Sequence, residues 1–242
     1  MFLDVDERVA YNALPGTITP DMWSHQYLQQ ANEISAAHTD PHAWVADGPD
    51  STVFGVEPNF GCCTANFNQG WPKLAGNVIF ESSDGGVAIG VFAPASAEFP
   101  AGTSVPTGTR VEVNTRYPFG DTVEVVVDVP ASDSTAEVPL HVRIPGWATH
   151  ATMQSVHAAG GSPVAHPSLQ AGSMHTVLCS VGWKTTVTLQ LNPAVEVETG
   201  WGNSAVNKGK MDQGVFTETT GLETRVACLI DLLHTRAGEP LA

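Results

Sequence analysis

The sequence predicts a mainly β chain that ends in a β-sandwich, and three observations support this. From Asn77 onward, β-branched runs recur: NVIFES, GVAIGVFAPAS, TRVEVNTRYP, DTVEVVVDVP, EVPLHVRIPGW, HTVLCSVGW and TTVTLQLNPAVEVET. Several of them alternate apolar with polar residues, as half-buried strands do. Clusters of Gly, Pro, Asp and Ser separate them. Short strands at such spacing pack as two facing sheets. The change of texture divides the chain into residues 1–76, a sandwich over 77–200, and a divergent segment over 201–242.

Composition limits the function classes. The chain has 242 residues, 42% of them apolar, enough for a core. With 25 acids against 10 Lys and Arg, the formal net charge is −15. Nucleic-acid binding relies on basic patches, so it is not expected. No apolar run approaches the ~18 residues of a membrane span. The start, MFLDVDERVAYNALPG, lacks the basic and apolar regions of a signal peptide, so we expect neither membrane attachment nor secretion, with a lean to the cytoplasm. The four cysteines make no disulfide framework. Cys179 and Cys228 lie in apolar surroundings and read as inert.

In chain order, residues 3–13 place Leu3, Val9, Ala10 and Ala13 near helical spacing, which predicts a short amphipathic helix ended by Leu14-Pro15-Gly16. In residues 17–35, Trp23, His25 and Tyr27 alternate. If extended, they share one side. That side is either packed as in an ordinary strand or offers the rings and polar tips that a sugar site uses. His38 and His42 have a ligand spacing only on a helix, which the intervening Thr-Asp-Pro disfavours, so they read as loop residues. Residues 65–76 predict a short helix broken by Gly70 and Pro72. Residues 224–236 predict a helix with Val226, Ile230 and Leu233 on one side.

The organising stretch is Glu57-Pro-Asn-Phe-Gly-Cys62-Cys63-Thr-Ala-Asn66-Phe-Asn-Gln69-Gly-Trp-Pro-Lys73. Adjacent Cα atoms are ~3.8 Å apart, short of the disulfide range. Cys62 and Cys63 therefore hold one soft metal ion between them, present a reactive thiolate tuned by its neighbour, or are small buried apolar residues.

The string FGCCTANFNQGWPK resembles the double-cysteine motif of glycoside hydrolase family 127, the β-L-arabinofuranosidases and their relatives. Residues 7–30, ERVAYNALPGTITPDMWSHQYLQQ, resemble the segment preceding that motif. VPLHVRIPGW, residues 138–147, resembles a strand of the following β-domain. The three stretches stand in the family's order over roughly residues 5–200.

The resemblance implies that residues 1–76 are a remnant of an (α/α)6 barrel, with most of the barrel absent. It implies a retaining hydrolase in which Cys62 is the nucleophile and Cys62 and Cys63 are zinc ligands. Trp23, His25, Tyr27, Asn66 and Gln69 become candidate substrate-binding residues. The implied partner is an arabinofuranoside-containing glycan, with a missing N-terminal barrel segment as a second. The family also uses a Glu-x-Cys pair and an upstream glutamate as general acid/base, and no Glu-x-Cys occurs here. Glu57 is the only carboxylate close to the cysteines in sequence, and reads as a structural residue more readily than as a substitute ligand. The expectation is a chain that hydrolyses little and holds zinc weakly by itself. Rival readings are a non-catalytic carbohydrate-binding or assembly module, and a redox or metal-storage role for the thiols.

Overall fold

The computed structural model describes residues 2–28, 36–38, 48–56, 61–132, 137–158, 160–194, 197–199 and 224–226. His42, Glu57, Cys228 and most of the segment 201–242 lie outside them. The chain divides into two compact units. One holds Met1–Glu7 together with Pro72–Ala194, and the other is built on Arg8–Trp71.

The first unit is dominated by two sheets, as the strand pattern predicts. One has four strands in the order β1 (Ile79–Glu81), β2 (Val87–Ile89), β6 (Val138–Ile144) and β9 (Ser173–Cys179). The other has six, in the order β3 (Ala95–Glu98), β4 (Arg110–Thr115), β5 (Thr122–Asp128), β10 (Lys184–Gln190), β7 (Thr152–His157) and β8 (Val164–Ala165). The period-two alternation sets the register. Val125 of β5 pairs with Val113 of β4 and Val187 of β10, and all three are buried. In the smaller sheet, Leu140 pairs with Val87 in parallel and with Val177 antiparallel, and these too are buried. Each sheet thus buries one valine-rich face, the arrangement of a sandwich. β7 is missing from the sequence prediction, because two of its inward positions are Met153 and Ser155 rather than a valine run.

Arg143 breaks the pattern. Alternation puts it on the face of β6 opposite Leu140 and Val142, yet it is fully buried. Helix α1 (Phe2–Arg8) covers it. Arg143 Nη1 donates to Asp4 Oδ1 at 2.6 Å, and Nη2 donates to Glu7 Oε2. Trp147 Nε1 donates to the other Glu7 oxygen at 2.8 Å. The guanidinium carbon stands 5.4 Å from the Phe92 ring centroid.

The amphipathic reading of residues 3–13 is corrected here. The buried side chains of that stretch include Glu7 as well as Ala10, while Val9 is half exposed. After α1 the chain forms a π-helical turn, Val9–Ala13, and a last turn α2 (Leu14–Gly16). A wider turn shifts the phase, so helical spacing no longer keeps Val9, Ala10 and Ala13 on one face.

The second unit also contains the pair β11 (Val197–Thr199) and β12 (Thr224–Val226), which run antiparallel. This corrects the helix expected from residue 224: its first three residues form a strand, and the rest lies outside the described residues. Strand pairing is long-range, and the apolar spacing of a single segment does not report it.

Candidate active site

The cysteine pair sits on the first turn of α3 (Gly61–Phe67). The predicted helix over 65–76 is thus two helices, the first beginning earlier than expected. The break falls at Asn68–Gln69, and Gly70 and Pro72 open the second helix, α4 (Gly70–Ala75). Proline is tolerated in a first turn, where its absent N–H would have had no helical partner. Gly70 packs against the flexible end of the Leu14 side chain, which would have to shift to admit a Cβ. A Cβ there would lie 2.4 Å from Leu14 Cδ2. Trp71 ties this corner down, its Nε1 donating to the Ala10 carbonyl at 3.3 Å and its ring edge-on to Phe67 at 5.8 Å.

Cys62 is exposed and Cys63 partly so. The reading of both as buried apolar residues therefore fails. Cys179 does behave that way: burial pushes its thiol up to about 11. The two Sγ atoms at 62 and 63 are 3.7 Å apart. Two thiolates on one tetrahedral zinc, each at ~2.3 Å, would stand ~3.8 Å apart. The pair thus fits two corners of such a site. Among the described residues, no set of three or more His, Cys, Asp or Glu side chains is placed to hold a metal.

Two of the expected pocket residues meet this turn. His25 is paired in extended conformation with both Ile18 and Gly55, its N–H donating to Gly55 O at 3.0 Å. Gln26 turns inward and donates to Thr52 O at 2.6 Å, which leaves His25 and Tyr27 on the opposite side. His25 Nε2 is 2.9 Å from Thr64 Oγ1, and Tyr27 hydrogen-bonds the Cys63 thiol. Burial, and then the neighbouring Cys62, push Cys63 above the ordinary thiol value, with Tyr27 opposing. Thr64 was not among the sequence candidates, and its place directly after the pair is the only signal it carries.

The other candidates are placed differently. Trp23 lies in the bend before the extended segment and is 75% exposed, so the packed alternative does not hold for it. Asn66 and Gln69 are exposed but occupied with each other: Asn66 Nδ2 donates to Cys62 O at 2.7 Å, and Gln69 Nε2 donates to Asn66 Oδ1 at 2.5 Å. His38 pairs with Asp50 at 3.2 Å.

Residues 86–193 match the family model of the middle domain of family 127 β-L-arabinofuranosidases. Over those residues the sandwich is similar to that family 127 domain. Solved structures agree on the fold. A structure described as a glycoside hydrolase superposes with a TM-score of 0.60 at 17% identity, over 81% of this chain and 29% of its own. A family 127 β-L-arabinofuranosidase from Geobacillus stearothermophilus T6 gives 0.53 at 17% identity, over 82% of this chain and 29% of its own. A family 127 β-arabinofuranosidase gives 0.52 at 16%, over 81% and 29%. This chain therefore spans about 29% of the length of each. No curated protein matches the sequence. The matched family 127 segment begins after the cysteine turn, so Cys62 and Cys63 stand outside it.

Proposed function

We propose that the chain is a family 127 glycoside hydrolase-like protein of the β-L-arabinofuranosidase type, retaining in mechanism, with Cys62 as nucleophile. The observation that carries the reading is the exposed thiol pair at 3.7 Å, with His25 and Tyr27 brought to the same turn from a separate segment. In a retaining reaction the first group attacks the anomeric carbon, and water then releases the sugar from it. Cys62, exposed at the helix start, takes that role. Cys63 and Cys62 are the residues that would hold zinc. When bound, zinc supplies the charge that keeps a thiol deprotonated at neutral pH. Tyr27 orients Cys63. His25, fixed through its backbone to Gly55, offers a ring nitrogen for a sugar hydroxyl in exchange for Thr64. The exposed Trp23 ring offers an apolar face to sugar C–H groups. The substrate is an arabinofuranoside-containing glycan.

The general acid/base and the remaining metal donors have no counterpart in a Glu-x-Cys motif here. In this reading they come from a barrel segment outside these 242 residues, and the purified chain turns over an aryl β-L-arabinofuranoside slowly. The test is whether Cys62→Ser abolishes that residual hydrolysis. A rate that the substitution leaves unchanged would remove Cys62 from the chemistry.

One observation favours a second reading. The family match covers the sandwich and omits the cysteine turn, as suits a carbohydrate-binding or assembly module without chemistry. Glycan binding that survives Cys62→Ala and Cys63→Ala, with no hydrolysis in the parent chain, would decide for it.

A further inference from the structure

Three histidines of the sandwich meet where its two sheets leave an edge. His157 ends β7 and His166 follows β8, the edge strand of the larger sheet. His175 lies on β9, the edge strand of the smaller. Their rings form one hydrogen-bonded chain. His175 Nε2 is 3.0 Å from His166 Nδ1, and His166 Nε2 is 2.9 Å from Ser155 Oγ. Ser155 Oγ is 3.3 Å from His157 Nε2, and His157 Nδ1 is 3.3 Å from Thr185 Oγ1. Ser155 and Thr185 are fully buried, while the three imidazoles are half-buried.

The chain has a self-consistent proton order. His157 Nδ1–H donates to Thr185, Ser155 O–H donates to His157 Nε2, and His166 Nε2–H donates to Ser155. His166 Nδ1 is then a bare lone pair held opposite His175 Nε2, with the two rings edge to face at 82° and centroids 5.0 Å apart. We infer that His166 Nδ1 and His175 Nε2 form a two-imidazole site for a divalent transition cation of the zinc type. Imidazole nitrogens suit such ions. Bound to one tetrahedral zinc at ~2.0–2.1 Å each, they would stand ~3.3 Å apart, which asks the pair to open by ~0.3 Å. The proton on His175 Nε2 moves through solvent to His175 Nδ1, which has no partner among the described residues, so no net proton is lost. His166 meets the usual requirement of a metal-bound histidine, since its second nitrogen is already oriented by a hydrogen bond. No third His, Cys, Asp or Glu converges there among the described residues. Water completes the coordination, and the affinity falls well below that of a four-ligand structural site. This site is separate from the thiol pair, which belongs to the other unit.

The test uses the full chain carrying Cys62→Ser and Cys63→Ser, so that thiols do not compete, titrated with Zn2+. Nitrogen-15 NMR of the imidazoles should show His166 Nδ1 and His175 Nε2 shifting together while His166 Nε2 keeps its proton. In calorimetry, His166→Gln and His175→Gln should each weaken binding about tenfold or more, and His157→Gln, which breaks the orienting chain, by a smaller factor. Zinc that shifts other ring nitrogens and leaves this pair unmoved would overturn the site, as would an affinity unchanged by His175→Gln. The NMR measurement keeps both histidines, so it stands even if a glutamine variant loosens the edge.

Discussion

Arg143 and Glu7 lie 136 residues apart in sequence and are joined in a fully buried ion pair. It fastens the first helix to the outer face of the four-stranded sheet. Burial draws the guanidinium down to about 10, with Asp4 opposing, so it stays charged at neutral pH.

Removing one partner of a buried pair leaves the other charge uncompensated. Arg143→Ala should lower the unfolding free energy by about 3–5 kcal/mol. The double change Arg143→Met with Glu7→Leu should recover much of that loss, because no bare charge remains. Urea denaturation of the three chains checks both statements. Equal destabilisation of the single and double variants would contradict the ion-pair account.

Asp4 gives a pH dependence. Burial pushes its carboxyl up, but the Gly146 N–H and then Arg143 more than offset this, and it lies below the ordinary 3.8. A carboxyl depressed in the folded state contributes stability that is complete above its unfolded value and is lost as pH falls through its folded one. Stability should therefore drop below about pH 4. Asp4→Asn should flatten that drop in urea midpoints compared across the acid range.

The cysteine turn predicts an order of reactivity. Because Cys63 is pushed up and Tyr27 opposes the push, Tyr27→Phe should raise the Cys63 thiol further and slow its alkylation near neutral pH. Peptide-level mass spectrometry after iodoacetamide pulses reads Cys62, Cys63 and Cys179 separately. Cys179 should stay unlabelled until the sandwich unfolds.

Gly86, directly before β2, lies close against Pro139 of β6. A Cβ there would meet the Pro139 carbonyl oxygen at 2.3 Å and its Cβ at 2.9 Å. Gly86→Ala should cost about 1–3 kcal/mol, as overpacking does. A thermal melt matching the parent would show that the β2–β6 pairing yields more easily than these distances allow.

The alternating valines of β4, β5 and β10 made the sandwich legible in sequence, because burial on one sheet face leaves a period-two trace. The cysteine turn was legible as a motif. Spacing alone could not say that Cys62 would be exposed or that Thr64 would meet His25. The helical spacing of residues 3–13 pointed to Leu3, Val9, Ala10 and Ala13, of which the structure buries Ala10, and it buries Glu7 as well. Its partner Arg143 is distant in sequence, and no local pattern announces it. His166 and His175 were invisible for the same reason, since they sit on the edges of different sheets.

The anchoring of the first helix has a practical corollary for anyone dissecting this protein. A polypeptide started at the first strand would carry a naked guanidinium on what had been a shielded surface, beside Phe92 and without a carboxylate. Its poor solubility could then be mistaken for an unstable sandwich. The smallest piece worth producing keeps Asp4 and Glu7, or else replaces Arg143 with an uncharged side chain of similar bulk.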